Sequence, residues 1–121
     1  MIPIPDEYLE VESCVYKLWY GNKYIIAKGK TLDGSIYLFQ KGYAYFLAGG
    51  DGTGHKQWED KNNFYFKAYE YIKNNPGLKF KVEVLLETNN GYQLLKREQQ
   101  ELNDKLKDKN LLNNNLYAYL P

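Results

Sequence analysis

The pattern of apolar and polar positions divides the chain into strand-like and helix-like segments. Residues 14–20 (CVYKLWY) and 24–28 (YIIAK) are rich in β-branched and aromatic side chains, and they flank Gly21-Asn22, a dipeptide typical of tight hairpin turns. Residues 79–87 (KFKVEVLLE) begin by alternating apolar and charged side chains, as in a strand with one buried face. The pattern therefore predicts three strands, of which the first two form a hairpin.

Three other segments have the apolar spacing of helices. After a loop at 31–34, residues 35–47 have one broad apolar face. A second helix begins at a cap provided by Asp60 or Asn62 and stops at 74–77 (NNPG), and a third covers 92–107. The order hairpin, helix, helix, strand, helix predicts an α+β fold, with a small three-stranded antiparallel sheet flanked by three helices.

The length of 121 residues suits one domain. We divide the chain into an N-terminal extended arm at 1–10, a domain at 11–116 and a C-terminal tail at 117–121. Pro3 and Pro5 favour extended backbone in the arm. Both ends carry apolar and aromatic residues, so we expect them to dock either on this domain or on a neighbouring subunit.

The composition argues against a strongly basic nucleic-acid-binding protein. The net charge is +1, and Arg97 is the only arginine among the 16 basic residues. The single cysteine, Cys14, excludes an internal disulfide and a cysteine-based zinc site. No signal-peptide pattern or membrane-length apolar run is present, so we expect a soluble protein of the host cytoplasm or of an assembled particle, with no membrane partner.

Several short motifs follow one another in an order that is typical of one nuclease family. They are Val15-Tyr16 and Tyr24-Ile25-Ile26 in the hairpin, the strand KFKVEVLLE, the helix YQLLKREQQEL and the pair Leu112-Asn113. In order and spacing, over roughly residues 12–115, the chain resembles the GIY-YIG nuclease domain, in a degenerate form.

The resemblance implies metal-dependent hydrolysis of a phosphodiester, with Mg²⁺ as the cofactor. It assigns the metal ligand to Glu98, activation of the attacking water to Tyr16 and Tyr24, and orientation of the site to Asn113. Helical geometry favours Glu98 over Glu101, because at ~100° per residue only Glu98 falls inside the buried stripe. That stripe is formed by Leu94, Leu95, Leu102 and Leu106. Glu98 could instead be an inert residue that bonds to one of the two tyrosines.

The chain departs from the family at two important positions. The first helix has no arginine; Ser35 and Ile36 lie near the expected place, and Lys41 is its only basic residue. A lysine lacks the planar fork with which arginine neutralises a phosphate. Ile26 stands where the family has glycine. A lysine that reached the site from position 28, 30 or 41 would restore the missing cation.

We therefore expect a non-catalytic structural or interaction module that forms a homo- or hetero-oligomer. A component of a bacteriophage virion or of its head–tail connector is one such setting, suggested by a composition rich in Asn, Lys and Tyr. The alternative is a Mg²⁺-dependent GIY-YIG-type DNA endonuclease. A third hypothesis, a DNA-binding protein that does not cut, is disfavoured by the near-neutral charge.

Three remaining features are interpreted without catalysis. His55 is expected to be a solvated loop residue, and the glycine-rich loop 49–54 lacks the Gly-Lys-Ser/Thr ending of a phosphate loop. The first two helices hold more aromatic residues than a core needs, so some could form a contact surface. These residues are Tyr37, Tyr43, Tyr45, Phe64, Tyr65, Phe66, Tyr69 and Tyr71.

Overall fold

The computed structural model describes residues 2–49, 64–104 and 108–112. It confirms the predicted α+β fold, in which a three-stranded antiparallel sheet is accompanied by three helices. After a short 3₁₀ helix at Asp6–Tyr8, the elements are β1 (Glu12–Tyr20), β2 (Lys23–Thr31), α1 (Leu32–Leu47), α2 (Phe64–Asn74), β3 (Phe80–Glu87) and α3 (Gly91–Asp104).

The sheet has the order β2-β1-β3, so the first strand is central and pairs antiparallel with both neighbours. Gly21 adopts a positive φ of 62° in the β1–β2 turn, a conformation that glycine reaches without the penalty of a Cβ atom. The register between β1 and β3 shifts between Val15 and Tyr16, which marks a β-bulge there.

Helices cover both faces of the sheet. On the first face, α1 and α2 pack on β1 and β2 to form the larger core, which includes Tyr16, Leu18, Ile36, Phe39 and Tyr69. On the second face, α3 packs through Leu94 and Leu102 on Val15, Tyr24 and Ile26. Side chains alternate between the two faces along a strand, so consecutive residues of β1 and β2 belong to different cores.

The first helix begins at Leu32, three residues before the predicted start. Thr31 keeps an extended backbone and its side-chain oxygen accepts a hydrogen bond from the Gly34 N–H, which makes it the N-cap. The predicted loop at 31–34 is therefore a cap and the first helical turn. A methyl group at Gly29 would overlap the Ser35 hydroxyl, so the end of β2 and the start of α1 approach each other closely.

The other helix boundaries agree with the pattern where the structure describes them. The second helix ends at Asn74, as the NNPG segment predicts, while the proposed caps Asp60 and Asn62 lie outside the described residues. The third begins at Gly91, and the Asn90 side chain accepts a hydrogen bond from the Gln93 N–H. His55 and positions 50–54 of the glycine-rich loop also lie outside the described residues.

The N-terminal arm packs on its own domain. Ile2 is 5% exposed within the first core, and its N–H donates to Gln40 Oε1 at 2.6 Å. Within the predicted extended arm, residues 6–8 form a turn of 3₁₀ helix. The tail at 117–121 is not among the described residues.

The aromatic residues of α1 and α2 pack mainly against one another. Rings of Phe39, Tyr43, Phe46 and Tyr69 lie 4.9–6.3 Å apart, centroid to centroid, in the contacts between them. Among the predicted aromatic set whose side chains are described, only Tyr37 is exposed. The expected aromatic contact surface is thus largely a core. None of the helices in the described ranges is both long enough and apolar enough to cross a membrane.

Candidate functional site

Tyr16 lies in the middle of the central strand and points into the first core. Its side chain is 2% exposed. Burial raises the pKa of the phenol well above its usual value, Tyr65 adds to the rise, and a hydrogen bond with the Ser35 side chain opposes it. Tyr16 is therefore a neutral, buried phenol joined to the start of α1.

Glu98 is the one charged side chain that is buried among the described residues, at 8% exposure. Its Oε1 lies 3.4 Å from Lys28 Nζ on β2. Burial raises the pKa of the carboxyl above its ordinary 4.5, while Lys28 acts to lower it. The prediction that Glu98 falls inside the helical stripe is confirmed, whereas Glu101 is partly exposed and accepts a hydrogen bond from Arg97 Nε at 3.0 Å.

The charge of Glu98 acts on two tyrosines. It contributes to the raised pKa of Tyr16, and, after burial, to that of Tyr65, which rises to about 12. These interactions link five polar residues, which we call the Tyr16 cluster: Tyr16, Lys28, Ser35, Tyr65 and Glu98. Lys28 lies near the end of β2 and Ser35 near the start of α1, while Tyr65 belongs to α2 and Glu98 to α3.

Tyr24 lies on the other side of the sheet. It is opposite Trp19 in the hairpin, while Tyr16 is opposite Ala27, so the two tyrosines belong to different faces. The Tyr24 hydroxyl donates to Asp108 Oδ2 at 2.6 Å. Tyr16 and Tyr24 therefore point to opposite faces of the sheet.

The backbone of Tyr24 holds the segment 108–112 against the outer edge of β2. Its N–H donates to the Asn110 carbonyl at 3.0 Å, and its carbonyl accepts from the Leu112 N–H at 2.8 Å. Leu111 forms a parallel bridge with Tyr24. Tyr24 thus has a structural role at this edge. Asn113, the fourth predicted site residue, lies outside the described residues.

The donors around Glu98 do not fit a divalent cation. A Mg²⁺ site uses oxygen ligands in octahedral geometry. Here a lysine ammonium group stands beside the carboxylate, where it would repel a second cation. In the described part of the chain, no three His, Cys, Asp or Glu side chains are grouped as metal ligands.

Access to the Tyr16 cluster is restricted by burial of both Tyr16 and Glu98. A groove of about 500 Å³ follows the outer surface of α3 and shares no residue with the cluster. Among the described residues, Tyr16 and Glu98 are therefore largely shielded from solvent.

Sequence reasoning named only part of this cluster as a site. Lys28 was considered as a lysine that could reach it, and alternation along β2 places that residue on the same face as Ile26 and Tyr24. Ser35 was noted only as a position near the missing arginine. Tyr65 had no signal beyond its aromatic character, because its role depends on how α2 packs on the sheet.

No family model matches the sequence, and neither the curated proteins nor the solved structures contain a match. The likeness to the GIY-YIG domain consequently rests on the motifs alone.

Proposed function

We propose that this chain is a non-catalytic structural or interaction module, a component of a protein assembly built on a GIY-YIG-like fold. The observation that carries the proposal is the Lys28–Glu98 ion pair. It supplies from within the protein the positive charge that the family obtains from a metal ion.

The ion pair and the position of Tyr24 both argue against turnover. A metal-binding glutamate must keep its oxygens available, but Glu98 is buried and faces an ammonium group. Of the two tyrosines, one is buried in the first core and the other anchors residues 108–112. These two positions do not favour Tyr16 and Tyr24 acting together on a water at one phosphate.

Exposed apolar side chains support a role in protein contacts. Tyr37 and Leu38 are 61% and 58% exposed on the outer side of α1, and Leu47 near its end is 52% exposed. Large apolar groups exposed side by side are typical of contact surfaces. The bacteriophage setting rests on composition only and belongs to the same proposal.

One observation favours the alternative, a Mg²⁺-dependent DNA endonuclease. Lys28 does reach the Tyr16 cluster, and a lysine there could neutralise a phosphate after leaving Glu98. This would require the Lys28–Glu98 ion pair to open and the buried side chains of Tyr16 and Glu98 to become accessible to DNA.

A nicking assay on supercoiled plasmid with Mg²⁺ or Mn²⁺ decides between the two functions. Wild type is compared with Glu98→Gln and with the matched variant Glu101→Gln on the same helix. We expect no metal-dependent nicking by any of the three proteins. Nicking by wild type and Glu101→Gln that disappears in a folded Glu98→Gln protein would overturn the proposal.

A further inference from the structure

The outer edge of β3 has no partner within residues 2–49, 64–104 and 108–112. The opposite edge of the sheet, on β2, receives the segment 108–112 through Tyr24. The third strand is eight residues long, and among the described residues it pairs with β1 alone. An open strand of this length is a template for pairing with another chain.

One hydrogen bond at the end of the β1–β3 ladder shows which backbone groups of β3 point outward. Tyr20 lies opposite Phe80, and at the next position the Gly21 N–H donates to the Lys79 carbonyl at 2.9 Å. Hydrogen-bonded and non-hydrogen-bonded pairs alternate along an antiparallel ladder. The backbone groups of Lys81 and Glu83 therefore bond to β1.

It follows that the N–H and C=O groups of Phe80, Val82 and Val84 point away from the sheet. We propose that a second copy of this chain pairs with them antiparallel, about a twofold axis at Val82. The two sheets then join into one of six strands. In this register Val82 faces Val82 of the second copy, and Phe80 faces Val84.

The charges on β3 favour this register over its two neighbours. Lys81 of each copy lies opposite Glu83 of the other, at a non-hydrogen-bonded position, where facing side chains are closest. Moving the axis by one residue towards Lys81 sets Lys81 against Lys81, and moving it towards Glu83 sets Glu83 against Glu83. Both shifts place like charges against each other on the axis; the first also sets Lys79 against Glu83, and the second sets Lys81 against the apolar Leu85.

The strand is also shaped to limit the pairing to its first half. The register shift opposite Val15 and Tyr16 falls between Val84 and Leu86, so the regular edge ends near Val84. Phe80 and Val84 are only partly buried in the single chain. Pairing in the proposed register covers both of them, which adds apolar burial to the backbone hydrogen bonds.

The proposed dimer deepens the assembly role, on which it rests, by naming the partner as a second copy. Sedimentation velocity over a concentration series tests it. Lys81→Glu alone and Glu83→Lys alone each create two like-charge contacts, so we expect self-association to weaken by about tenfold or more. Lys79→Glu is the matched control, because Lys79 faces the apolar Leu85 in this register.

An equimolar mixture of the two variants is the decisive sample. Position 81 of one then carries the charge opposite to position 83 of the other at both contacts, so we expect a heterodimer with wild-type affinity. Because Glu83 also accepts a hydrogen bond from Trp19 at 3.3 Å, a second measurement avoids charge reversal. Lys81→Cys mixed with Glu83→Cys should form a disulfide-linked dimer, and Lys81→Cys alone should not.

A wild-type protein that stays monomeric, or a mixture that associates no better than the separate variants, would overturn the dimer. These outcomes are independent of the nicking assay. If the protein is a folded monomer that does not cut DNA, the proposed β3 interface is rejected and the non-catalytic role is retained. If the protein is a dimer and nicks DNA in a way that depends on Glu98, the non-catalytic role is rejected and the interface is retained.

Discussion

The pair formed by Lys28 and Glu98 is the most informative contact at the scale of single residues. Their side chains are 16% and 11% exposed, so both charges have lost much of their hydration. Each charge is tolerable mainly because the other is present. The pair also joins β2 to α3, two elements that are distant in the sequence.

Removing only one member of this pair is therefore expected to be costly. Lys28→Met leaves the Glu98 carboxylate buried beside an apolar chain, and we expect unfolding at pH 7 to become easier by about 1–3 kcal/mol. The double variant Lys28→Met/Glu98→Gln should recover most of the loss. Urea unfolding measures both. Arg97→Met, which opens the more exposed pair with Glu101, serves as the control and should cost less than about 1 kcal/mol.

The dependence of stability on pH gives a second test of the buried Glu98 carboxyl. Burial raises the pKa of Glu98 above 4.5 in the folded protein, so the folded state binds that proton more tightly than the unfolded chain. The stability that this tighter proton binding contributes is fully present below pH 4.5, the ordinary pKa of the carboxyl. It is lost as the pH rises through the higher pKa of Glu98 in the folded protein. Relative to the double variant, wild type should lose stability as the pH is raised through this window. Parallel pH curves for the two proteins would contradict the assignment.

At the scale of elements, the segment 108–112 extends the sheet beyond β2. Tyr24 contributes a backbone donor, a backbone acceptor and its hydroxyl to this contact. Burial comes first among the causes that raise the pKa of Tyr24, followed by the hydrogen bond to Asp108, so the phenol remains a donor at neutral pH. The hydroxyl ties the segment to the second face of the sheet.

Replacing Tyr24 with Phe removes only this tie. We expect a loss of about 1.5–3 kcal/mol, the range for a hydrogen bond to a charged group, together with faster amide exchange at Leu112. Tyr20→Phe is a matched control, because its hydroxyl donates to the Asn75 carbonyl at 2.7 Å, away from this segment. If both variants speed exchange at Leu112 equally, Tyr24 has no specific role in holding it.

The hairpin shows what the sequence could and could not predict at this scale. The two-residue turn sets Tyr24 opposite Trp19, and alternation then puts Tyr24 and Tyr16 on different faces. The strand positions alone predict that the two tyrosines lie on different faces, whereas the motif resemblance assigns them one shared role. The earlier start of α1 depended on the Thr31 cap, whereas the contact of Lys28 with Glu98 depends on the packing of α3.

At the scale of the whole molecule, periodicity predicted the order of the elements and the burial of Glu98 and Leu102 on α3. It could not predict which surface each end of the chain would occupy. The position of Ile2 is decided by space between α1 and the sheet, in contact with residues 30 or more positions away. Long-range packing of this kind leaves no local pattern, so the sequence left two destinations open for the arm.

The arm can be tested as part of the domain. Ile2 is 5% exposed and Leu9 is 53% exposed on the same arm. We expect Ile2→Ala to lower the free energy of unfolding by about 2 kcal/mol, because it leaves a cavity, and Leu9→Ala to change it by less than about 0.5 kcal/mol. Urea unfolding of both variants at several protein concentrations measures the difference. If Ile2 instead bound a second copy, its replacement would weaken self-association and leave the stability of the monomer unchanged.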